Sequence, residues 1–278
     1  MTDTETPLQP RRTGLSVRQR RRLSRGAQYV LFVAVVGFVA ASADWGRLQN
    51  QFAQPGIAGQ MFPQVITVAL KNTVLFTLSG FVVGLGLGMI VALMRLSSVG
   101  PYRWLAGIYI EIFRGLPALL IFIFVGVGMP LAFPGIQYPG GIYGKVALAL
   151  GLVSAAYMAE TIRAGIQAVP HGQTEAARSL GFSPARAMIS IVVPQAFRII
   201  LPPLTNELVL LFKDSSLVLF LGVTLQEREL SKFGNDLAST TANSTPILVA
   251  GLFYLLITVP LGFVVRRMET TPSKEAVR

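Results

Sequence analysis

Charged and amide side chains stand inside the apolar stretches of this chain, and they come in ordered pairs. Glu111 and Arg114 are three residues apart, as are Glu160 and Arg163. Asn206 and Lys213 are seven apart, and so are Glu207 and Asp214. A spacing of three makes helical neighbours and a spacing of seven is about two turns, so each pair shares one helix face. A charge at the centre of a hydrocarbon layer costs on the order of 2.5–3.5 kcal/mol, and persists where it is paired or faces water. The two three-residue pairs read chiefly as internal neutralisation that ties helices together. The Asn206, Glu207, Lys213 and Asp214 stripe reads as the lining or gate of a polar path. Its cation and carboxylate suit a zwitterion with a carboxylate and an ammonium group. Tyr157 and Ser154 are further candidates of the same kind.

None of these residues suggests bond-making chemistry. The chain has no cysteine and a single histidine, His171, so thiolate sites, disulfides and histidine metal clusters are excluded. No nucleophile lies beside an evident base, and no GxxxxGK[ST] loop is present to hold ATP phosphates. The reading is therefore no catalytic residue, no metal and no cofactor.

The elements that must position these side chains are membrane helices. Hydrophobic residues make up 52% of the 278 residues and charged ones 13%, against about 25% charged in soluble domains. A span needs roughly 20 apolar residues. The apolar runs 27–43, 66–95, 103–130, 144–165, 203–224 and 246–266 give an all-α membrane protein of about six transmembrane helices. Gly80, Gly84 and Gly88 share one face of the second span, where small residues admit a neighbouring helix. Pro117 is expected to kink the third span.

Charge orients the spans. Arg11, Arg12, Arg18, Arg20, Arg21, Arg22 and Arg25 crowd ahead of the first apolar run. Arg95, Arg103, Arg163, Arg178, Arg186, Arg198, Arg266, Arg267, Lys274 and Arg278 fall on the same side, with Arg47, Lys71, Lys145, Arg228 and Lys232 opposite. The positive-inside bias then places both termini in the cytoplasm. The basic tail fits anionic lipid headgroups better than nucleic acid, because it directly precedes a membrane anchor. Ala41-Ser42-Ala43 has the form of a signal-peptidase site, but the apolar run is long for a cleaved signal. The segments become a basic tail 1–26, an anchor 27–43, an extracytoplasmic connector 44–64, a core 65–268 and a cytoplasmic tail 269–278.

Between the fourth and fifth spans, residues 169–203 form a punctuated elbow. Pro170 opens a short helix through Glu175, Ala176 and Ala177 that stops at Gly181, a residue suited to the left-handed position. Ser183-Pro184 reads as an N-cap followed by a first-position proline, starting a second helix that Pro194 interrupts near Val193. Pro202-Pro203 marks the entry into the fifth span, which puts Lys213 and Asp214 near mid-membrane. An amphipathic helix lying on lipid is the plain alternative for this elbow.

Glu175-Ala176-Ala177, three residues, Gly181, nine residues, then Ile191-Val192-Val193-Pro194 resembles the coupling-loop motif of ATP-binding-cassette importer permeases, with Val193 in place of leucine. Glu111-Ile-Phe-Arg114-Gly115-Leu-Pro117, Ala156-Tyr157-Met-Ala-Glu160-Thr-Ile-Arg163-Ala-Gly165 and Lys213-Asp214-Ser215-Ser216-Leu217 resemble the polar amino-acid permease group. That group includes carriers of histidine, glutamine, glutamate, arginine and opines. The similarity runs from about Val65 to Met268 and leaves out the tail and first span.

The resemblance implies a five-helix permease core in a bacterial inner membrane, preceded here by one extra helix. It implies a dimer of ATP-binding subunits docked at Gln173, Glu175, Ala176, Ala177, Arg178 and Gly181. It also implies an extracytoplasmic substrate-binding protein received by loops 131–143 and 225–245, and a second permease subunit, identical or related. Glu111, Arg114, Tyr157, Glu160, Arg163, Asn206, Glu207, Lys213 and Asp214 would border the path or its gate. The extra span and the Asp214-Ser215-Ser216-Leu217 string lean slightly toward acidic amino acids or glutamine. An ion-coupled secondary amino-acid transporter is the alternative, and it has no use for a coupling elbow.

Overall fold

The computed structural model of the chain describes residues 17–270, so Arg11, Arg12, Lys274 and Arg278 lie outside the described residues. The chain divides into two compact units at Asn50 and Gln51. The first unit holds helix α1 (Val17–Ser42) and most of α2 (Trp45–Phe52). Asp44 accepts from the Arg47 backbone N–H at 2.9 Å and pairs with its guanidinium, which starts α2.

The second unit opens with α3 (Pro55–Gln60) and a wide, π-type turn at Val65–Leu70 that runs into α4 (Lys71–Leu96). Next come α5 (Gly100–Gly115), α6 (Ala118–Ile123) and α7 (Met129–Ala132). α8 (Ile142–Gln167) leads through α9 (His171–Ser179) and α10 (Pro184–Ala187) to α11 (Val193–Asp214). α12 (Leu230–Thr241) and α13 (Thr245–Thr270) complete the described residues.

Among the described residues, five helical stretches are long and apolar enough to cross a membrane: Arg20–Ser42, Val65–Leu96, Ile142–Gln167, Pro184–Leu221 and Thr245–Glu269. The sixth expected span is broken, because Gly100–Gly115 and Ala118–Ala132 meet at 107°. Leu116 is extended, with φ −89° and ψ 140°, as the steric demand of Pro117 requires of the residue before it. The expected kink is thus a full corner.

The fifth span departs from expectation more sharply. Pro194 does not interrupt the second elbow helix, and Pro202-Pro203 does not mark an entry point. Helix continues from Pro184 to Leu221 over 38 residues. A wide turn at Met188–Val192 precedes α11 and puts Pro194 in its first turn, where a missing N–H costs little. Pro202 and Pro203 lie inside α11, with Pro202 buried. An interior proline costs about 3 kcal/mol, so the contacts of α11 with α8, α13 and α4 must outweigh that preference.

The core is organised around α4 and α8, which run parallel. An added Cβ at Gly80 would stand 2.5 Å from the Leu150 Cβ, and one at Gly88 would stand 3.0 Å from the Met158 Cβ and 3.1 Å from the Ala155 carbonyl. Between them Gly84 faces Ser154, and Gly151 answers from α8 against Val83. The stripe expected to admit a helix therefore admits α8, at a constant register offset. Lipid is as apolar as leucine, so this closeness, rather than escape from water, holds the pair. A second, smaller core of Met61, Val65, Ala69, Leu230, Phe233 and Ala250 closes the end of the unit away from the elbow.

Substituting Gly80→Ala is expected to destabilise the protein by about 1–3 kcal/mol, the usual cost of overpacking. Gly86→Ala meets nothing within 4 Å and should be neutral or stabilising by up to about 1 kcal/mol, through helix propensity. Thermal unfolding of the two purified variants separates these outcomes.

Candidate functional site

The elbow is built by local capping. At the end of α9 the Gly181 N–H donates to the Arg178 carbonyl at 3.0 Å and the Phe182 N–H to the Ala177 carbonyl at 3.1 Å, with Gly181 at φ +86°. Those paired bonds make a Schellman motif, and a side chain at Gly181 would strain it. Two residues later the Ser183 hydroxyl accepts from the Arg186 N–H at 3.3 Å, and Pro184 takes the first helical position. The Arg186 guanidinium lies over the Phe182 ring, 4.9 Å from its centroid. A turn of so few residues, capped on both sides, has little freedom to flex.

Small residues seat the elbow. Ala177 and Ala187 are buried, while Gln173, Glu175, Ala176 and Arg178 face out. Ala177 was expected on the outer surface beside Ala176. It turns inward instead, because α9 packs on α10 and on the wide turn that follows it. Leu180 was not singled out from the sequence, yet it is 79% exposed at the tip. A large apolar side chain on a rigid, polar-rimmed turn is a feature of contact surfaces.

The polar residues of the spans separate into three arrangements. Glu160 and Arg163 form an ion pair at 2.6 Å on α8, and Arg163 also bonds Gln167. Glu111 and Arg114 form no ion pair among the described residues. Arg114 lies at the end of α5 and reaches across to the Tyr157 ring of α8 instead, 5.4 Å from its centroid. On α11, Asn206 and Lys213 are exposed while Glu207 and Asp214 are half-buried. The two-turn spacing does return matching environments. None of these four forms an ion pair among the described residues. α11 ends at Asp214 and tightens into a 3₁₀ turn, Ser215–Leu221, before Gly222 at φ +67°. Lys213 and Asp214 therefore sit at a change of helical pitch. The rod begins far ahead of Pro203, so that proline does not fix their depth.

A fourth arrangement was missed in the sequence. The buried Asn72 amide donates to the Gln226 and Arg228 carbonyls at 2.8 and 3.1 Å and accepts from the Tyr143 hydroxyl at 2.8 Å. The Thr73 hydroxyl accepts from the Leu230 N–H at 3.1 Å. Glu229 caps α12 by accepting from the Ser231 and Lys232 N–H groups at 2.6 and 2.5 Å, and from the Tyr254 hydroxyl at 2.7 Å. Side chains of α4, α8 and α13 thus hold the 226–230 segment at the end of the bundle opposite the elbow. The available signal was two polar residues, Asn72 and Thr73, at the start of an apolar run.

Burial pushes the Glu229 carboxyl up to about 7, against the Tyr254 hydroxyl, the two backbone donors and Lys232, which pull it down. A raised carboxyl binds a proton in the folded state that the unfolded chain has released. This contribution is full below the ordinary glutamate value and fades as pH rises through about 7. Hydrogen-exchange protection of the Ser231 and Lys232 amides, corrected for intrinsic rate, should drop on the order of tenfold from acid to alkaline pH. Glu229→Gln keeps an acceptor without the charge and should flatten that profile.

Residues 84–272 match the family described as binding-protein-dependent transport system inner membrane component. The probable glutamine ABC transporter permease protein GlnM of Bacillus subtilis (strain 168) is 39% identical over 188 residues, covering 68% of this chain and 84% of that relative. The arginine transport system permease protein ArtQ of the same organism is 35% identical over 211 residues, covering 74% and 93%. Among solved structures, the crystal structure of an amino acid ABC transporter with histidines superposes with a TM-score of 0.67 at 33% identity. It covers 76% of this chain and 95% of that one.

Proposed function

The chain belongs to the binding-protein-dependent transport system inner membrane components, a family of multi-pass membrane proteins, and we propose that it carries polar amino acids inward. The family's permeases work with an ATP-binding subunit and a substrate-binding protein. In this reading ATP is hydrolysed in the separate subunit, and the permease alternates its path between the two faces of the membrane. Relatives whose names specify glutamine and arginine support a polar amino-acid cargo. The lean toward acidic amino acids or glutamine still rests on the Asp214-Ser215-Ser216-Leu217 string.

The elbow carries the proposal. Gln173, Glu175, Ala176, Arg178 and the tip residue Leu180 make its outward surface, with Gly181 fixing the angle. That surface suits a groove on an ATP-binding subunit, with Glu175 offered to basic groups or backbone donors and Leu180 to an apolar pocket. The cation bias supports a cytoplasmic elbow with both termini on that side. The path is assigned to Asn206, Glu207, Lys213 and Asp214 on α11, with Glu160, Arg163, Tyr157, Glu111 and Arg114 as its border. The permease core is taken as residues 65–268, and the α11 stripe, whose charged groups form no ion pair among the described residues, faces a second permease subunit across the path.

In the complex reconstituted with its ATP-binding subunit and binding protein, Glu175→Lys or Gly181→Asp is expected to lower substrate-stimulated ATPase and uptake by at least about tenfold, the effect of losing one buried interface anchor. Both variants should remain in the membrane at normal abundance. Normal uptake by either one would remove the docking assignment. Wild-type stimulation across a panel of amino acids reads the cargo, and no stimulation by any polar amino acid would contradict that class.

A further inference from the structure

Helix α1 carries a face that transport leaves unexplained, and it lies outside the region matched by the family. Arg18, Arg20, Arg21, Arg22 and Arg25 are all exposed in its first turns. At about 100° per residue, Arg18, Arg21, Arg22 and Arg25 fall within an arc of roughly 100°, and Arg20 points about 150° away from its centre. Tyr29, exposed, continues the same arc one turn later. The arginines therefore form a stripe rather than a collar.

Nothing within the described unit balances that stripe. No acidic residue occurs between Val17 and Ala43, and none of the five arginines forms an ion pair among the described residues. Arg18 faces Arg21 and Arg22, and Arg25 faces the same two, so every neighbour along the stripe carries like charge. Like charges gathered on one helix face repel one another, and an external anion would offset that repulsion.

The helix sets the height at which that anion must lie. Beyond Arg25 the chain is predominantly apolar up to Ser42, long enough to cross a membrane. The run ends at Trp45, whose indole N–H donates to the Ala40 carbonyl at 2.7 Å. From Arg25 to the end of α1 at Ser42 the helix rises about 25 Å, close to the thickness of the hydrocarbon layer, with Tyr29 and Trp45 as aromatic anchors near its two ends. When the apolar run fills the hydrocarbon, the arginine stripe stands among the headgroups of one leaflet.

We propose that Arg18, Arg21, Arg22 and Arg25 form a binding surface for the headgroups of anionic phospholipids. Guanidinium groups take phosphate oxygens in a two-pronged fashion, and four together favour headgroups with net negative charge over zwitterionic ones. The surface makes α1 a lipid-selecting anchor, and its action does not depend on which solute the permease carries.

The test uses the full-length chain in its assembled complex, in vesicles of phosphatidylcholine containing phosphatidylglycerol. Spin-labelled phosphatidylglycerol and phosphatidylcholine report the relative association of each lipid with the protein. Wild type is expected to select phosphatidylglycerol, and each Arg→Gln change in the stripe to lower that selectivity by up to about fivefold, the share of one basic residue near an anionic surface. Arg20→Gln should alter it by less than about twofold, and exchanging all four stripe arginines for lysine should keep the part that depends on charge and lose the part that depends on the guanidinium fork. Arg22→Gln and Arg25→Gln, tested singly, leave three stripe cations to maintain insertion if the fourfold glutamine variant fails to insert. Undiminished selectivity in these variants, or an equal loss from Arg20→Gln, would overturn the proposal. So would binding of labelled RNA at the stripe with no preference among lipids.

Discussion

In hydrocarbon, two helices gain nothing by hiding apolar surface from each other, so α4 and α8 associate only as closely as Gly80, Gly84, Gly88 and Gly151 allow. Much of the second unit hangs on that seam. α5 ties to it through the Tyr109 hydroxyl, which donates to the Leu152 carbonyl at 2.7 Å. α11 lies against α8 where Gly165 makes room for Ile200. The Asn72 and Tyr143 contact bridges the same two helices at the far end and grips the 226–230 segment with it. A seam of glycines gives one tightly fixed pair around which the other helices can be arranged.

The elbow gains its mechanical meaning from this arrangement. It joins the end of α8, a helix fixed by close packing, to a continuous helical stretch that begins at Pro184 and runs to Leu221. Had Pro194 or Pro202 broken that stretch, a push at the elbow would be absorbed in a flexible joint. With the helix unbroken, the proposed force from an ATP-binding subunit reaches Lys213 and Asp214, where the helix changes pitch. The Glu160–Arg163 pair lies on the other arm, within two turns of the elbow. Both arms of the lever therefore carry the polar groups assigned to the path.

Much of this was legible in the sequence, for physical reasons. The apolar runs located the spans because each must match a bilayer's thickness. Gly181 and Ser183-Pro184 located the elbow because only a few residues suit those backbone positions. Prolines misled in one direction only. Pro194 falls in the first turn of α11, where it costs little, and the packing that offsets the cost of Pro202 and Pro203 depends on partners far along the chain. The partner of Arg114 was misassigned for a similar reason. Spacing on one helix offered Glu111, whereas the corner at Pro117 aims the guanidinium at Tyr157 on another helix. Leu180 and the Asn72 clamp were invisible, since exposure at a tip and burial at a helix crossing are properties of the assembled fold.

Coupling through the elbow requires that its tip meet the ATP-binding subunit. The chain contains no cysteine, so Leu180→Cys creates a single thiol at the tip. A thiol-directed photocrosslinker placed there in the assembled transporter should join the permease to the ATP-binding subunit. A thiol introduced as Lys232→Cys, at the opposite end of the bundle, should not. Crosslinking of the Leu180 position to the binding protein, or to lipid alone, would contradict the coupling assignment on which the rest is built.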